Sequence, residues 1–291
     1  MKVIYGHTDS IYCTVESVDK AKEIAQVLNT HVQQFFPNTL ELEEHPVVLE
    51  FEKYFRSLGV GSTKNRNAGL ISWKDGKFLE EDEFFMTGFI AKRVSETKLA
   101  KDTQLSILKM WVENKSESEI VQFLQEKYQS VLSGHIPINQ VLKRSRYHPD
   151  RFKVKCINCK RVGLTLLTLT HGSCCNKMNL QTMMGKRPIV GAGVEGVIFY
   201  NSTNKVPITD SYLFCRVKDC NEVYYHPIHQ RTVTPNYVAG LTEGELSDYT
   251  PDWEHYAESV LKKAEPIFRA MNWNVGQITK DSNQRSLDEW F

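Results

Sequence analysis

The stretch "VIYGHTDSIY", Val3–Tyr12, sets one carboxylate, Asp9, in a short polar knot between apolar and aromatic runs. Read as a hairpin, it holds an oxygen donor at a fixed point on a stiff support. Further on, "PVVLEFEKYF" carries Glu50 and Glu52 two positions apart, on one face of an extended segment. Carboxylates on neighbouring strands suit a hard cation. Magnesium takes oxygen ligands and is usually held by one or two carboxylates plus the phosphates of a substrate. A turn Asp also has an ordinary use, hydrogen-bonding the local backbone, and spacing alone leaves both readings open. His7, two positions before Asp9, offers a nitrogen donor better matched to zinc or copper than to magnesium.

Two further groups of residues could do chemistry. Cys156-x-x-Cys159, followed by His171, Cys174 and Cys175, has spacing compatible with tetrahedral zinc. There is one CxxC only, and the apolar run "RVGLTLLTLT" between reads as a buried strand, so core thiols are the competing reading. Cys215-x4-Cys220 would be a less usual completion of such a site. The second group is basic. Lys143, Arg144, Arg146, Arg151, Lys153, Lys155, Lys160 and Arg161 face a single acid, Asp150, in a run that includes Tyr147 and Phe152. Such a run is either a solvated face or a polyanion contact, where Lys and Arg gain binding free energy by releasing counterions from phosphates.

These groups must be positioned by elements the pattern makes legible. Residues 2–5 and 11–15 read as two strands around "GHTDS". Ser17 is placed to cap a helix in which Ala21, Ile24, Ala25, Leu28, Val32 and Phe35 recur at helical spacing until Pro37. In "PVVLEFEKYF", Val48, Glu50 and Glu52 alternate with Leu49, Phe51 and Lys53, as in a strand with two unlike faces. "AGLISWKDGKF" reads as a hairpin turning at Asp75-Gly76. From Val94 the period becomes helical, giving two helices that "SGHIPI" ends. "GVIFY" and "SYLFCRV" read as strands. A last helix runs from Asp252 to Met271, kinked or ended at Pro266. The order points to an α+β protein.

Bulk properties are those of a globular chain. Its 291 residues are 41% apolar and 24% charged, with a net charge of +1. Length allows roughly two domains. No apolar run approaches the roughly 20 residues that span a bilayer, and the start lacks a charged-then-apolar leader. The expectation is a soluble cytoplasmic protein with no membrane partner. Seven cysteines, an odd number, do not suggest a disulfide framework.

"YGHTDSIY" closely resembles the third conserved motif of family B DNA polymerases, which reads YGDTDS. "VLEFEKYF" resembles that family's strand with paired Glu residues, "TKNRNAGLI" its TKKRYA segment, and "LAKDTQLSIL" its AKETQ helix. The tail is similar to that of archaeal members. The resemblance implies an α+β fold, a partial antiparallel palm sheet followed by a mostly helical thumb. It would divide the chain into 1–60 as the last part of the palm, 61–275 as the thumb and 276–291 as the tail. It implies two-metal transfer of a nucleotidyl group to a primer end, with Asp9, Glu50 and Glu52 as the catalytic carboxylates and Asp9 as a magnesium ligand. His7 stands where the family has its other Asp. The site then either tolerates His, is weak or dead, or prefers a different metal. Lys64 and Arg66 keep the family's residues, whereas Asn65 replaces a Lys and Asn67 replaces a Tyr that contacts the primer strand.

The same resemblance assigns duplex contacts to Lys64, Arg66, Lys92, Arg93, Lys98 and Lys101, and to Lys143, Arg144, Arg146, Arg151, Lys153 and Lys155. The family's other metal Asp and its nucleotide-gripping fingers lie earlier than anything in this chain. The chain is therefore expected to act as the small, C-terminal subunit of a split enzyme, or as a fragment, inactive without an N-terminal half. With that half it would meet primer–template DNA and deoxynucleoside triphosphates near the nucleoid. The rival is a non-catalytic DNA- and clamp-binding subunit with a degenerate site. The tail supplies the last expectation. Gln284, Leu287, Trp290 and Phe291 are similar to the pattern of peptides that bind a PCNA-like sliding clamp. Leu287 and the aromatics three and four positions on share one face of a helical turn, which suits an apolar pocket. Docking of the tail on its own domain is the alternative.

Overall fold

In a computed structural model of the chain, the described residues are 1–7, 10–63, 65–89, 91, 95–147, 154–160, 162–163, 179–182, 191–204, 206–226 and 231–279. They form an α+β structure with every strand pairing antiparallel. In chain order the elements begin with β1 (Lys2–His7), β2 (Ser10–Thr14), α1 (Val18–Phe35), β3 (Lys53–Val60), β4 (Asn67–Lys74) and β5 (Lys77–Thr87). Next come α2 (Lys98–Val112), α3 (Glu117–Leu132), β6 (Lys143–Arg146), β7 (Val154–Cys156), β8 (Val162–Gly163) and β9 (Leu180–Thr182). The series closes with α4 (Ala192–Thr203), β10 (Ser211–Arg216), β11 (Tyr224–His226), β12 (Arg231–Val233), β13 (Tyr237–Gly240) and α5 (Trp253–Met271). No helix among the described residues is long and apolar enough to cross a membrane.

The chain divides into two compact units. The first comprises Met1–Phe89, Leu105–Ile120 and Ala264–Val275. Its centre is the sheet β3-β4-β5, in which the middle strand buries Ala68, Leu70, Ile71 and Trp73. The expected turn is there: Asp75 and Gly76 both have positive φ, as the tight hairpin turn with the twist of its strands requires. The ring of Trp111, from α2, lies against Gly59 of β3 at a spot where a Cβ would collide with it. α1 starts as its sequence indicates, with the Ser17 hydroxyl accepting from Lys20 N–H at 3.2 Å.

The second unit comprises Ile90–Gln104, Val121–Lys263 and Gly276–Phe291. Its sheet runs β13-β10-β6, and α4 packs on it through Val197 among Tyr147, Ile208, Tyr212 and Ala239. α4 contains "GVIFY", which reads as a strand in the sequence. The segment is apolar all round, and periodicity cannot separate a buried helix from a buried strand in so short a run. α5 continues through Pro266 to Met271 rather than ending there. Ile267 and Phe268 are fully buried just after the proline, and their packing offsets the hydrogen bond it removes.

α3 opens with a capping box. Glu119 accepts from the Ser116 N–H at 2.9 Å, while the Ser116 hydroxyl accepts from the Glu119 N–H at 3.3 Å. The Ser116 backbone and hydroxyl bonds, then Lys115, hold the Glu119 carboxyl at about 2, below its ordinary 4.5. A carboxyl depressed by folding contributes stability that is complete above its unfolded value and lost as pH falls toward its folded one. The melting temperatures of wild type and Glu119→Gln should therefore differ most near neutrality and converge as pH falls from about 4.5 toward 2.

Candidate active site and nucleic-acid interface

β1 and β2 pair from Lys2↔Thr14 to His7↔Ser10. This register brackets Thr8 and Asp9, which lie outside the described residues, as does the His7 side chain. The pair is fixed to its unit by aromatic rings. Tyr5 and Tyr12 sit 5.5 Å apart, and Tyr12 is 6.1 Å from Phe55 of β3. The Tyr5 hydroxyl donates to Asn65 Oδ1 at 2.7 Å and accepts from the Asn65 N–H at 3.2 Å. Asn65 has a φ of 62°, a left-handed conformation that Asn adopts more readily than most residues. The Asn that breaks the resembled TKKRYA pattern is thus the residue that ties the loop before β4 to β1. A short loop with an Asn was the available signal for it; the Tyr5 partner, 60 residues away, was not.

Glu50 and Glu52 lie just before β3, not within it. The two faces read from the sequence are nonetheless present: Val48, Glu50 and Glu52 are exposed, whereas Leu49, Phe51 and Lys53 are half-buried. Among the described residues the segment has no strand neighbour, and side chains hold it instead. Asn29 of α1 donates to the Leu49 carbonyl at 2.9 Å and accepts from its N–H at 2.6 Å. Phe51 stacks on Trp73 at 4.5 Å. Nothing local marked Asn29 for this role, because its partner lies 20 residues on.

Both glutamates line a cleft of about 440 Å³ together with Phe51, Lys53, Lys74 and Asp75. Glu52 is 3.5 Å from Lys53. Burial, then Tyr5, then Glu52 push the Tyr12 hydroxyl above its usual range, so Glu52 is within electrostatic reach of β2. The cleft's oxygen donors are of the kind magnesium takes. Among the described residues, however, no three acidic, His or Cys side chains converge on a metal-holding geometry. Glu50 and Glu52 therefore do not make such a site by themselves.

The AKxTQ-like helix is α2. Its Thr97 hydroxyl accepts from Ala100 N–H at 3.1 Å, and the buried Gln104 accepts from Ala91 N–H at 2.9 Å. Gln104 thereby anchors the backbone next to Lys92 and Arg93, which lie outside the described residues. Of the remaining basic candidates, Lys98 and Lys155 are exposed, and Arg66 and Lys101 are half-buried. Lys143 is half-buried and 3.9 Å from Glu96, which is also 3.5 Å from Lys263. Arg144 and Arg146 are exposed two positions apart on β6, an edge strand. Successive side chains of a strand alternate, so both lie on one face. Neither forms an ion pair among the described residues. Lys64, Arg151 and Lys153 lie outside the described residues.

Cys156 is buried at the end of β7, and Cys159 is exposed in the turn after it. Lys160, with φ 61°, closes that turn by donating its N–H to the Cys156 carbonyl at 3.0 Å. Cys174, Cys175, Gln284, Leu287, Trp290 and Phe291 are outside the described residues. Cys215 is buried in β10, where desolvation pushes its thiol up to about 12.

Over 171 residues the chain is 26% identical to "DNA polymerase 037L" of Invertebrate iridescent virus 6, a match covering 54% of this chain and 13% of that protein. The chain thus spans about an eighth of that relative's length. Residues 1–162, from the β1–β2 pair through β7, match the family described as DNA polymerase family B, and the chain belongs to that family.

Proposed function

We propose that this chain serves as the C-terminal portion of a family B DNA polymerase, acting with an N-terminal polymerase half on primer–template DNA and deoxynucleoside triphosphates. In this reading 1–60 completes the palm, 61–275 forms the thumb and 276–291 is a tail. The observation that supports it most is the paired β1–β2 hairpin carrying the YGHTDS motif, with Asp9 between the register-matched His7 and Ser10. Asp9 would hold magnesium, with Glu50 and Glu52 on the neighbouring segment and at least one carboxylate from the other half. Magnesium bound there supplies charge neutralisation for the triphosphate and activation of the primer 3′ oxygen. The chain's own part is to keep Asp9 in place through Tyr5, Tyr12 and Asn65, and to hold the duplex.

The test is a single polypeptide in which this chain is joined by a flexible linker to the N-terminal family B polymerase polypeptide encoded in the same genome. Primer extension with magnesium or manganese supports the assignment. Inactivity of the fusion with both metals, alongside intact DNA binding, favours the second reading, a DNA- and clamp-binding subunit without catalysis. One observation favours that reading: Asn67 is 2% exposed, and its Oδ1 has no hydrogen-bond partner among the described residues, so its side chain is not presented to a strand.

Duplex grip is assigned first to Arg144 and Arg146, supported by Lys98, Lys101, Lys155 and Arg66. Each phosphate contact lowers the log–log salt slope of binding by about 0.9. Arg144→Ala/Arg146→Ala should therefore reduce that slope by about 2 and weaken binding to all duplex sequences alike. A slope unchanged within error would remove these residues from the interface. Gln284, Leu287, Trp290 and Phe291 would tether the assembly to a sliding clamp, raising processivity through effective concentration. Zinc held by Cys156, Cys159, Cys174 and Cys175 would brace the β7 turn, and metal analysis of the purified chain separates that from plain core thiols.

A further inference from the structure

Glu96 is paired with two lysines at once, Lys263 at 3.5 Å and Lys143 at 3.9 Å. The three come from separate elements of the second unit: Glu96 precedes α2, Lys143 opens β6 and Lys263 lies on α5. All are partly withdrawn from water, the Glu96, Lys263 and Lys143 side chains being 21%, 11% and 34% exposed. Charges held in that way need partners, because desolvation disfavours an unpaired one. Here two cations share one carboxylate, and without it two ammonium groups would be left near one another. Each arm of the cluster adjoins bases on the surface. Lys143 is followed by Arg144, and strand alternation turns the two to opposite faces. The Lys143 face is the inner one, since Ser145 on it is hydrogen-bonded to the buried Tyr212. Arg144 and Arg146 are exposed on the outer one. On the other arm Glu96 is followed by Thr97, whose hydroxyl caps α2 by accepting from the Ala100 N–H at 3.1 Å. Lys98 and Lys101 come directly after, and α2 has no acid in its first turn.

We propose that Glu96 is a positioning residue for duplex DNA: through Lys143 and Lys263 it fixes the start of α2, with Lys98 and Lys101, against β6, with Arg144 and Arg146, so that the two basic groups meet the phosphates as one surface. Lys143 then serves as an internal brace rather than as a phosphate contact. This rests on the reading above that those four residues hold the duplex. The sign of the Glu96 charge separates the proposal from plain electrostatics. A carboxylate close to bound phosphates repels them, so neutralising it would tighten binding if charge alone mattered. Positioning predicts the reverse. Without the carboxylate the two lysines repel one another, the tie between α2 and β6 opens, and the exposed bases lose their fixed spacing. A rigid array gives up less freedom on binding than two independent ones, so loosening it costs affinity without removing a contact.

The experiment titrates the full chain with a random-sequence DNA duplex at several salt concentrations. The proteins are wild type, Glu96→Gln, Lys143→Met, the double variant, Lys143→Arg and Arg144→Ala/Arg146→Ala. Melting curves verify that each folds, and Lys143→Met, a long apolar side chain at a half-buried position, carries the test should Glu96→Gln unfold. Glu96→Gln and Lys143→Met should each weaken low-salt binding by about fivefold, and the double variant by no more than either, as one coupled network requires. The salt slope should stay that of wild type, whereas loss of a phosphate contact lowers it by about 0.9. Lys143→Arg, which keeps the cation, should bind within about twofold of wild type. Amide exchange across Lys143–Arg146 should quicken in Glu96→Gln. Equal or tighter binding by Glu96→Gln overturns the proposal, and so does a slope lowered by about 0.9 in Lys143→Met. The arginine pair reports separately on the grip. Unchanged binding by that variant, with Glu96→Gln still weakened, would sink the arginine assignment and leave Glu96 acting through α2. A reduced slope in the arginine variant, with Glu96→Gln unaffected, would sink only the positioning role. Absence of duplex binding by wild type would sink both.

Discussion

Asp9→Ala, introduced into the linked polymerase, should abolish primer extension, a loss on the order of a thousandfold, while duplex binding at low salt stays within about twofold of wild type. Phosphoryl transfer asks the protein for positioning and charge rather than covalent chemistry. A carboxylate holding the metal would contribute both, and among the described residues no other cluster of side chains offers to substitute for it. Glu52 is drawn to Lys53, and Glu50 stands exposed at the rim of the cleft. His7→Asp is the complementary change. It replaces a nitrogen donor with an anionic oxygen donor at the end of β1, which suits magnesium. Extension should rise by about tenfold with magnesium and by less with manganese, which tolerates nitrogen ligands better. Activity that survives Asp9→Ala would remove the catalytic assignment. Activity that appears only with His7→Asp would identify the wild-type site as degenerate.

Gly88→Ala should destabilise the first unit by about 3 kcal/mol, lowering its melting temperature on the order of 10 °C. Gly88 has a φ of 72°, a conformation that costs a residue with a Cβ roughly 1–2 kcal/mol. The added carbon would also overlap the Asn65 carbonyl, a backbone group that cannot swing aside. Gly76→Ala is the control. It too has positive φ, at 83°, but opens on empty space, so it should cost only the conformational part. The site reads the difference. Because Asn65 is bonded to Tyr5 of β1 by 2.7 and 3.2 Å contacts, displacing Asn65 loosens the hairpin that bears Asp9. Amide exchange in β1 should therefore quicken in Gly88→Ala and stay unchanged in Gly76→Ala. Equal melting temperatures for the two variants would show that the Gly88–Asn65 approach carries no stability.

Much of the fold was legible because its signals are local. The Ser17 cap, the Asp75-Gly76 turn and the apolar spacing of α2 and α3 each depend on residues within one turn or one hairpin of one another. "GVIFY" misled for the opposite reason. Its conformation is set by burial against β10 and β13, and an all-apolar run carries no period to declare it. Glu50 and Glu52 fall between the two cases. Alternation along the chain correctly indicated which side chains face out, but strand hydrogen bonds were not what held them extended.

By itself, the sequence determined the family, through the spacing of YGHTDS and the segments that follow it, and the chemical types on offer: carboxylates at 9, 50 and 52, a histidine at 7 and a basic run after 143. Those are properties of covalent order and side-chain chemistry, readable without coordinates. Only the tertiary structure decided that Asn65 grips Tyr5, that Asn29 holds Leu49 through both backbone groups, that Lys143 is drawn to Glu96 while Arg144 and Arg146 remain exposed, and that Ile11 and Phe35 stay exposed while Tyr12 and Leu28 are half-buried. Each of these depends on contacts between residues tens of positions apart, and chain order does not encode distance once the backbone has folded back on itself.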